Sequence, residues 1–128
     1  MATAIKTVRT IVASQINAAA ATTRGTLGLA TALGGVLTIK MTNGASPPAT
    51  QCLANVLIAH NTTLPAAGSA GVDWKTVYMV GNGLLLNTIG EWSYTIGPEV
   101  GNLEVEFTGN TTQSVTVEAL FTEITSIG

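Results

Sequence analysis

Three runs in the second half of the chain decide the fold: Glu91-Trp-Ser-Tyr-Thr-Ile96, Leu103-Glu-Val-Glu-Phe-Thr108 and Ser114-Val-Thr-Val-Glu-Ala-Leu-Phe-Thr122. In the first, Trp92, Tyr94 and Ile96 alternate with Glu91, Ser93 and Thr95. In the second, Leu103, Val105 and Phe107 alternate with Glu104, Glu106 and Thr108. In the third, Val115, Val117, Ala119 and Phe121 alternate with Ser114, Thr116, Glu118 and Thr122. Successive side chains of a strand leave opposite faces, so a period of two marks a strand with one buried face. Aromatic and β-branched residues hold the inward positions, where a pleated surface packs them well. Gly97-Pro98 with Gly101-Asn102, and then Gly109-Asn110-Thr111-Thr112, are turn formers between the runs, and the last two strands are expected to pair as a hairpin.

The same reading extends upstream. Val36 to Thr42 puts Leu37, Ile39 and Met41 on one face, and ends at Asn43-Gly44. Cys52 to Ala59 is almost wholly apolar, which suits a central strand, and its bounding turns favour a strand over a short buried helix. Trp74 to Val80 places Trp74, Thr76, Tyr78 and Val80 on one side and stops at Gly81-Asn82-Gly83. The regular alternation assigns Trp74, Tyr78, Trp92 and Tyr94 to the core. Residues 18–35, mostly Ala, Thr, Gly and Leu, read as a long connection with one short strand around Gly25 to Thr31. At the start, Ile5, Val8, Val12 and Ile16 fit a helix face, but the strand propensity of Thr7, Val8, Thr10, Ile11 and Val12 favours an extended arm or edge strand over residues 1–20. Six to eight short strands in one domain, residues 1–128, predict an all-β single-domain β-sandwich, with a jelly roll as first topology and an extended N-terminal arm.

Composition limits the function. The 128 residues carry 46% hydrophobic and only 9% charged side chains, with a net charge of −2. Five scattered cations (Lys6, Arg9, Arg24, Lys40, Lys75) cannot make the dense basic face that phosphate neutralisation requires, so no nucleic-acid partner is expected. The weakly polar stretch Ile11 to Ile39 contains Arg24 and four glycines, and Ser14, Gln15 and Asn17 break any signal-like apolar run. Neither a membrane partner nor a signal peptide is expected. Asn-Thr-Thr at Asn61 and at Asn110 matches the glycosylation pattern but reads as loop residues.

No catalytic constellation emerges. Cys52 is the only cysteine and His60 the only histidine, and on an extended strand they would stand about 26 Å apart, too far for a dyad. Cys52 is read as a buried small hydrophobe. Glu104 and Glu106 share the outward face of one strand, where solvent or an interface is their expected setting. Gly25-Thr-Leu-Gly28, Gly34-Gly35 and Gly81-Asn-Gly83 lack the Lys-Ser/Thr of a phosphate loop and the strand–turn–helix setting of a dinucleotide site. No enzyme, cofactor or metal is therefore expected. The neutral loops Asn43 to Thr50, around Pro47-Pro48, and Asn61 to Val72, around Pro65, are candidate packing surfaces, as is the N-terminal arm with Lys6 and Arg9.

The Thr- and Ala-rich start, Thr42-Asn-Gly-Ala45, Asp73-Trp74-Lys75 and the closing Asn110-Thr-Thr-Gln-Ser-Val-Thr-Val-Glu-Ala119 give the chain a style that resembles the small structural proteins of tailed-phage virions, in particular β-sandwich or jelly-roll capsid decoration (cement) proteins. The resemblance implies a non-enzymatic homo-oligomer that binds the major capsid protein or other virion proteins between subunits and stabilises the shell. It would be made in the host cytoplasm and carried in the virion. Lys6, Arg9, Pro47, Pro48 and Pro65 are the expected partner contacts. Two other readings remain: a tail or fibre module for host attachment, and a carbohydrate-binding β-sandwich presenting Trp74 or Trp92 beside Tyr78 or Tyr94.

Overall fold

The computed structural model describes residues 3–68 and 73–127. Eight strands run through the described residues: β1 (Ala4–Asn17), β2 (Thr23–Gly28), β3 (Gly35–Asn43), β4 (Leu53–Ala59), β5 (Trp74–Gly81), β6 (Ile89–Ile96), β7 (Asn102–Thr108) and β8 (Val115–Ile127). They form two antiparallel four-stranded sheets, ordered β1-β8-β3-β6 and β2-β7-β4-β5. Among consecutive strands only β4 and β5 are neighbours within a sheet; every other connection crosses from one sheet to the other or passes over a strand. That order is a jelly roll.

The alternation seen in the sequence explains the layers. Leu37, Ile39 and Met41 of β3 lie in register with Phe121, Ala119 and Val117 of β8, and all six are buried. From the second sheet Ala54 and Val56 of β4 and Leu103, Val105 and Phe107 of β7 meet them in one core. Burial of each large apolar side chain contributes about 1.5–3 kcal/mol, so this interdigitated layer dominates the stability.

The expected hairpin between the last two strands does not form. β7 pairs with β2 and β4, whereas β8 pairs with β1 and β3 in the opposite sheet. The Gly109 to Thr112 stretch is an inter-sheet crossing, organised by a fully buried Asn110. Its Nδ2 donates to the Asn17 (3.1 Å), Ala18 (3.4 Å) and Gln113 (2.9 Å) carbonyls, and its Oδ1 accepts from Asn17 Nδ2 at 2.6 Å. Turn-forming residues allow either connection; the side-chain amide selects this one.

The N-terminal segment is an edge strand, not a free arm. β1 pairs with β8 along its length, with register breaks at Ile5/Lys6, Thr10/Val12 and Val12/Gln15. Those bulges spoil the period of two, and the helix-like spacing of Ile5, Val8, Val12 and Ile16 marks no buried face: Val12 is buried opposite Ala119, whereas Ile5, Val8 and Ile16 are exposed.

Candidate functional site

The candidate site lies on the side of the sandwich where the edge strands β5 and β6 meet, capped by the loop Asn82 to Thr88. Buried amides fix that loop from beneath. Asn43 Nδ2 donates to the carbonyls of Gly83 (3.2 Å) and Leu85 (2.9 Å), while Asn82 Nδ2 donates to Asn43 Oδ1 (3.0 Å) and to the Thr88 carbonyl (3.2 Å). Gln51 Oε1 accepts from the Gly83 amide at 3.1 Å, and backbone bonds join Asn43 to Thr88 and Asn87 to Gly44. Gly83 and Asn87 take positive φ (72° and 56°), which glycine and asparagine tolerate best.

With its backbone so held, the loop has three adjacent side chains that find no place in the core. Leu84, Leu85 and Leu86 are 53%, 75% and 58% exposed. Beyond the loop, exposed Ile89 faces outward from the first sheet and exposed Met79 outward from the second, so the apolar cluster is the leucine tip itself. Clustered exposed apolar groups on a domain with so few charges mark a binding surface more often than an accident of folding. The sequence signal was the bare Leu84-Leu-Leu86 run between Gly83 and Asn87, which fits neither strand nor helix period.

An aromatic pair adjoins this surface. Tyr78 of β5 stacks on Tyr94 of β6 with ring centroids 4.3 Å apart and planes 15° from parallel. Tyr78 is 41% exposed and Tyr94 half-buried, and burial, then the neighbouring Tyr78, pushes the Tyr94 hydroxyl above its usual range. Trp92 is half-buried, its ring lying against Gly90, where a Cβ would have no room. Trp92 and Tyr94 are thus half-buried against the main core and Tyr78 is exposed, so only Trp74 is fully buried, and it packs apart from that core, with Leu57 and Ala59. The cause is a bulge in β4–β5 pairing: Leu57 faces Thr76 but Val56 faces Tyr78, so the side of β5 changes at Val77. Trp74 and Tyr78 do not share a face as the plain alternation required.

The outer face of the second sheet carries a different arrangement. Glu104 and Glu106 do point outward, yet Glu104 is 0% exposed, because the loop after β4 covers it. Its Oε1 accepts the Gly68 amide at 2.9 Å, and its Oε2 is buried without a hydrogen-bond partner among the described residues. Burial raises the Glu104 pKa above the usual carboxylate range; the Gly68 bond and Arg24 oppose this, and Glu106 adds to it. Glu106 itself is bound by Arg24 (2.6 Å) and by Asn55 Nδ2 (3.1 Å). Trp74 Nε1 to the Ala66 carbonyl (2.9 Å) and Asn102 Nδ2 to the Asn61 carbonyl (2.7 Å) fasten the same loop. The loop is thus latched over Glu104, while Glu106 stays partly exposed.

The five expected contact residues are scattered. Lys6 and Arg9 are exposed on β1, with Arg9 Nη1 3.0 Å from the buried Glu123 carboxylate. Pro47 and Pro65 are half-buried, and Pro48 is buried, so it offers no surface to a partner. Cys52 is buried and its thiol is pushed up to about 11 by desolvation, partly offset by a backbone hydrogen bond at Thr108. His60 is exposed, and no group of three or more His, Cys, Asp or Glu side chains that could hold a metal occurs among the described residues. A depression of about 130 Å³ lined by Ser14, Lys40, Thr42, Thr116, Val117 and Glu118 lies on the outer face of the first sheet. It is well below the roughly 300–1,000 Å³ of a typical small-molecule pocket.

No protein-family model and no curated protein matches the chain. Among solved structures it is similar to the K3 cleaved adhesin domain of Lys-gingipain from Porphyromonas gingivalis W83, at 12% identity and a TM-score of 0.51, over 79% of this chain and 60% of that domain. It thus spans three-fifths of the adhesin domain's length. It is also similar to the Yersinia pseudotuberculosis-derived mitogen (11% identity, TM-score 0.48, 94% of this chain and 87% of that one). A third likeness is to the C-terminal family 22 carbohydrate-binding module of Clostridium thermocellum Xyn10B (12% identity, TM-score 0.48, 98% and 84%). At such identities the likeness extends to the β-sandwich fold alone.

Proposed function

We propose that this chain is a non-enzymatic structural module that works by surface contact, docking onto other proteins of an assembly through the rim formed by β5, β6 and the Asn82–Thr88 loop. The observation that carries this reading is the rigidly held, solvent-facing Leu84-Leu85-Leu86 tip. Aliphatic side chains recover hydrophobic free energy only against another apolar surface, and fixing their backbone beforehand lowers the ordering cost of binding. The assembly we favour is a tailed-phage virion, with the module seated on capsid protein as a shell-stabilising decoration. Binding the assembled shell and not its separated subunits would stabilise the shell by mass action.

The test is co-sedimentation of the purified protein with empty tailed-phage capsids. Wild type is expected to pellet with the particles and Leu85→Asp to stay in the supernatant while keeping its melting temperature. Equal pelleting of both proteins, or of neither, would remove this reading.

The Tyr78–Tyr94 pair favours a second reading, carbohydrate recognition, because aromatic faces stack on sugar rings. The adhesin domain and the carbohydrate-binding module named above attest the fold only, so this reading rests on the ring pair. A glycan panel that retained wild type but not Tyr78→Ala would establish it over the first.

A further inference from the structure

Among the described residues the first sheet ends on β1 at one edge and on β6 at the other, each paired on one side only. β1 is antiparallel to β8, β8 to β3 and β3 to β6, so β1 and β6 run in opposite directions. A second copy placed beside the first with its β1 against this β6 would continue the sheet in antiparallel order. The outward side chains of the two edges also match. β1 presents Val8, 65% exposed, and Lys6; β6 presents Ile89, 60% exposed, and Glu91. All four point to the outer face of the sheet, since Lys6, Val8, Ile89 and Glu91 share the outward parity of their ladders. Setting Val8 opposite Ile89 in an antiparallel pair brings Lys6 opposite Glu91, an apolar pair beside an ion pair. β1 carries no acid and β6 no base, so the edges are complementary to each other and not to themselves. Within the chain Glu91 has only a long, exposed contact with Lys40, at 3.9 Å.

We infer that the chain self-associates head to tail, β6 of one copy pairing with β1 of the next, so that the first sheet runs continuously through a ring or filament. Such a heterologous contact closes into a ring when its rotation divides the circle and otherwise extends. The occupant of each edge is thus a second copy of this chain. Lysine on an edge strand ordinarily discourages pairing, and here Glu91 of the neighbour supplies its counter-charge. The inference rests on the assembly reading for the view that this side of the molecule meets protein; it shares Ile89 with the proposed rim but turns on the Val8 and Lys6 edge of β1, and it fails separately.

Cysteine pairs test it in the full chain, where Cys52 is buried and does not compete. Under mild oxidation Val8→Cys/Ile89→Cys is expected to give a ladder of covalent oligomers, while Val8→Cys and Ile89→Cys alone give none. A dimer from either single variant would show a symmetric contact and overturn the inference, as would the absence of any ladder from the double variant. Both side chains are exposed, so folding is not at stake. In a second measurement, Lys6→Glu and Glu91→Lys each weaken self-association by tenfold or more in sedimentation velocity, and mixing the two variants restores it; no weakening, or no restoration, overturns the inference. A missing ladder with capsid pelleting intact would leave the assembly reading standing, and a ladder without pelleting would leave the head-to-tail contact standing.

Discussion

Glu104 shows how much a single covered side chain alters a residue that looks solvated. A carboxylate at an outward strand position reads as exposed, but the loop that buries it is remote in sequence and its coverage carries no local signal. Burial raises the Glu104 pKa in the folded protein, so the folded state binds the proton more tightly than the unfolded chain does. Its contribution is therefore most favourable below the ordinary glutamate range and is lost as pH rises through the raised value. Chemical denaturation across that window should show wild type losing stability with rising pH, and Glu104→Gln should flatten the slope and gain about 1 kcal/mol at its upper end. An unchanged slope would show that Glu104 is not the group responsible. Cys52 gives a second check at this scale: with its thiol buried and pushed up to about 11, it should resist alkylation at pH 8 in the native protein and react fully in denaturant.

Among the elements, the loops at the ends of the sandwich are organised by buried asparagines more than by turn type. Asn110 binds three carbonyls and Asn17, and Asn43 with Asn82 does the same work at another loop. Replacing Asn110 with Ala leaves several buried polar groups unpaired and should lower stability by about 2–3 kcal/mol in urea titrations. Ala20 holds a left-handed φ of 61° while its amide donates to the Asn110 carbonyl, so Ala20→Gly should raise stability by about 1 kcal/mol. Strands β3, β6, β7 and β8 were legible because each keeps an unbroken period of two. β1 and the β4–β5 pair were harder, since bulges at Thr10/Val12 and at Val56/Leu57 shift the side on which residues fall. The supposed final hairpin failed for another reason: Asn110 looks like a turn residue, and only the folded chain shows it buried and bonded to β1. The same strand-wide pairing means that removing residues 1–15 would strip an edge from the first sheet, so Lys6 and Arg9 are better probed by substitution.

At the scale of the whole molecule, alternation and turn spacing revealed the sandwich, but not the surface proposed to bind. That surface is made by loop geometry: three leucines in an unremarkable run become a fixed apolar tip only because Asn43, Asn82 and Gln51 hold the backbone beneath them. Leu85→Asp should change folding stability by no more than about 0.5 kcal/mol, because the side chain makes little use of the core. Its effect should fall on binding instead. Whether the chain binds through this rim is read by amide hydrogen exchange with and without empty tailed-phage capsids. New protection centred on residues 82–89 is expected when capsids are present. Protection confined to other faces, or none at any residue, would contradict it.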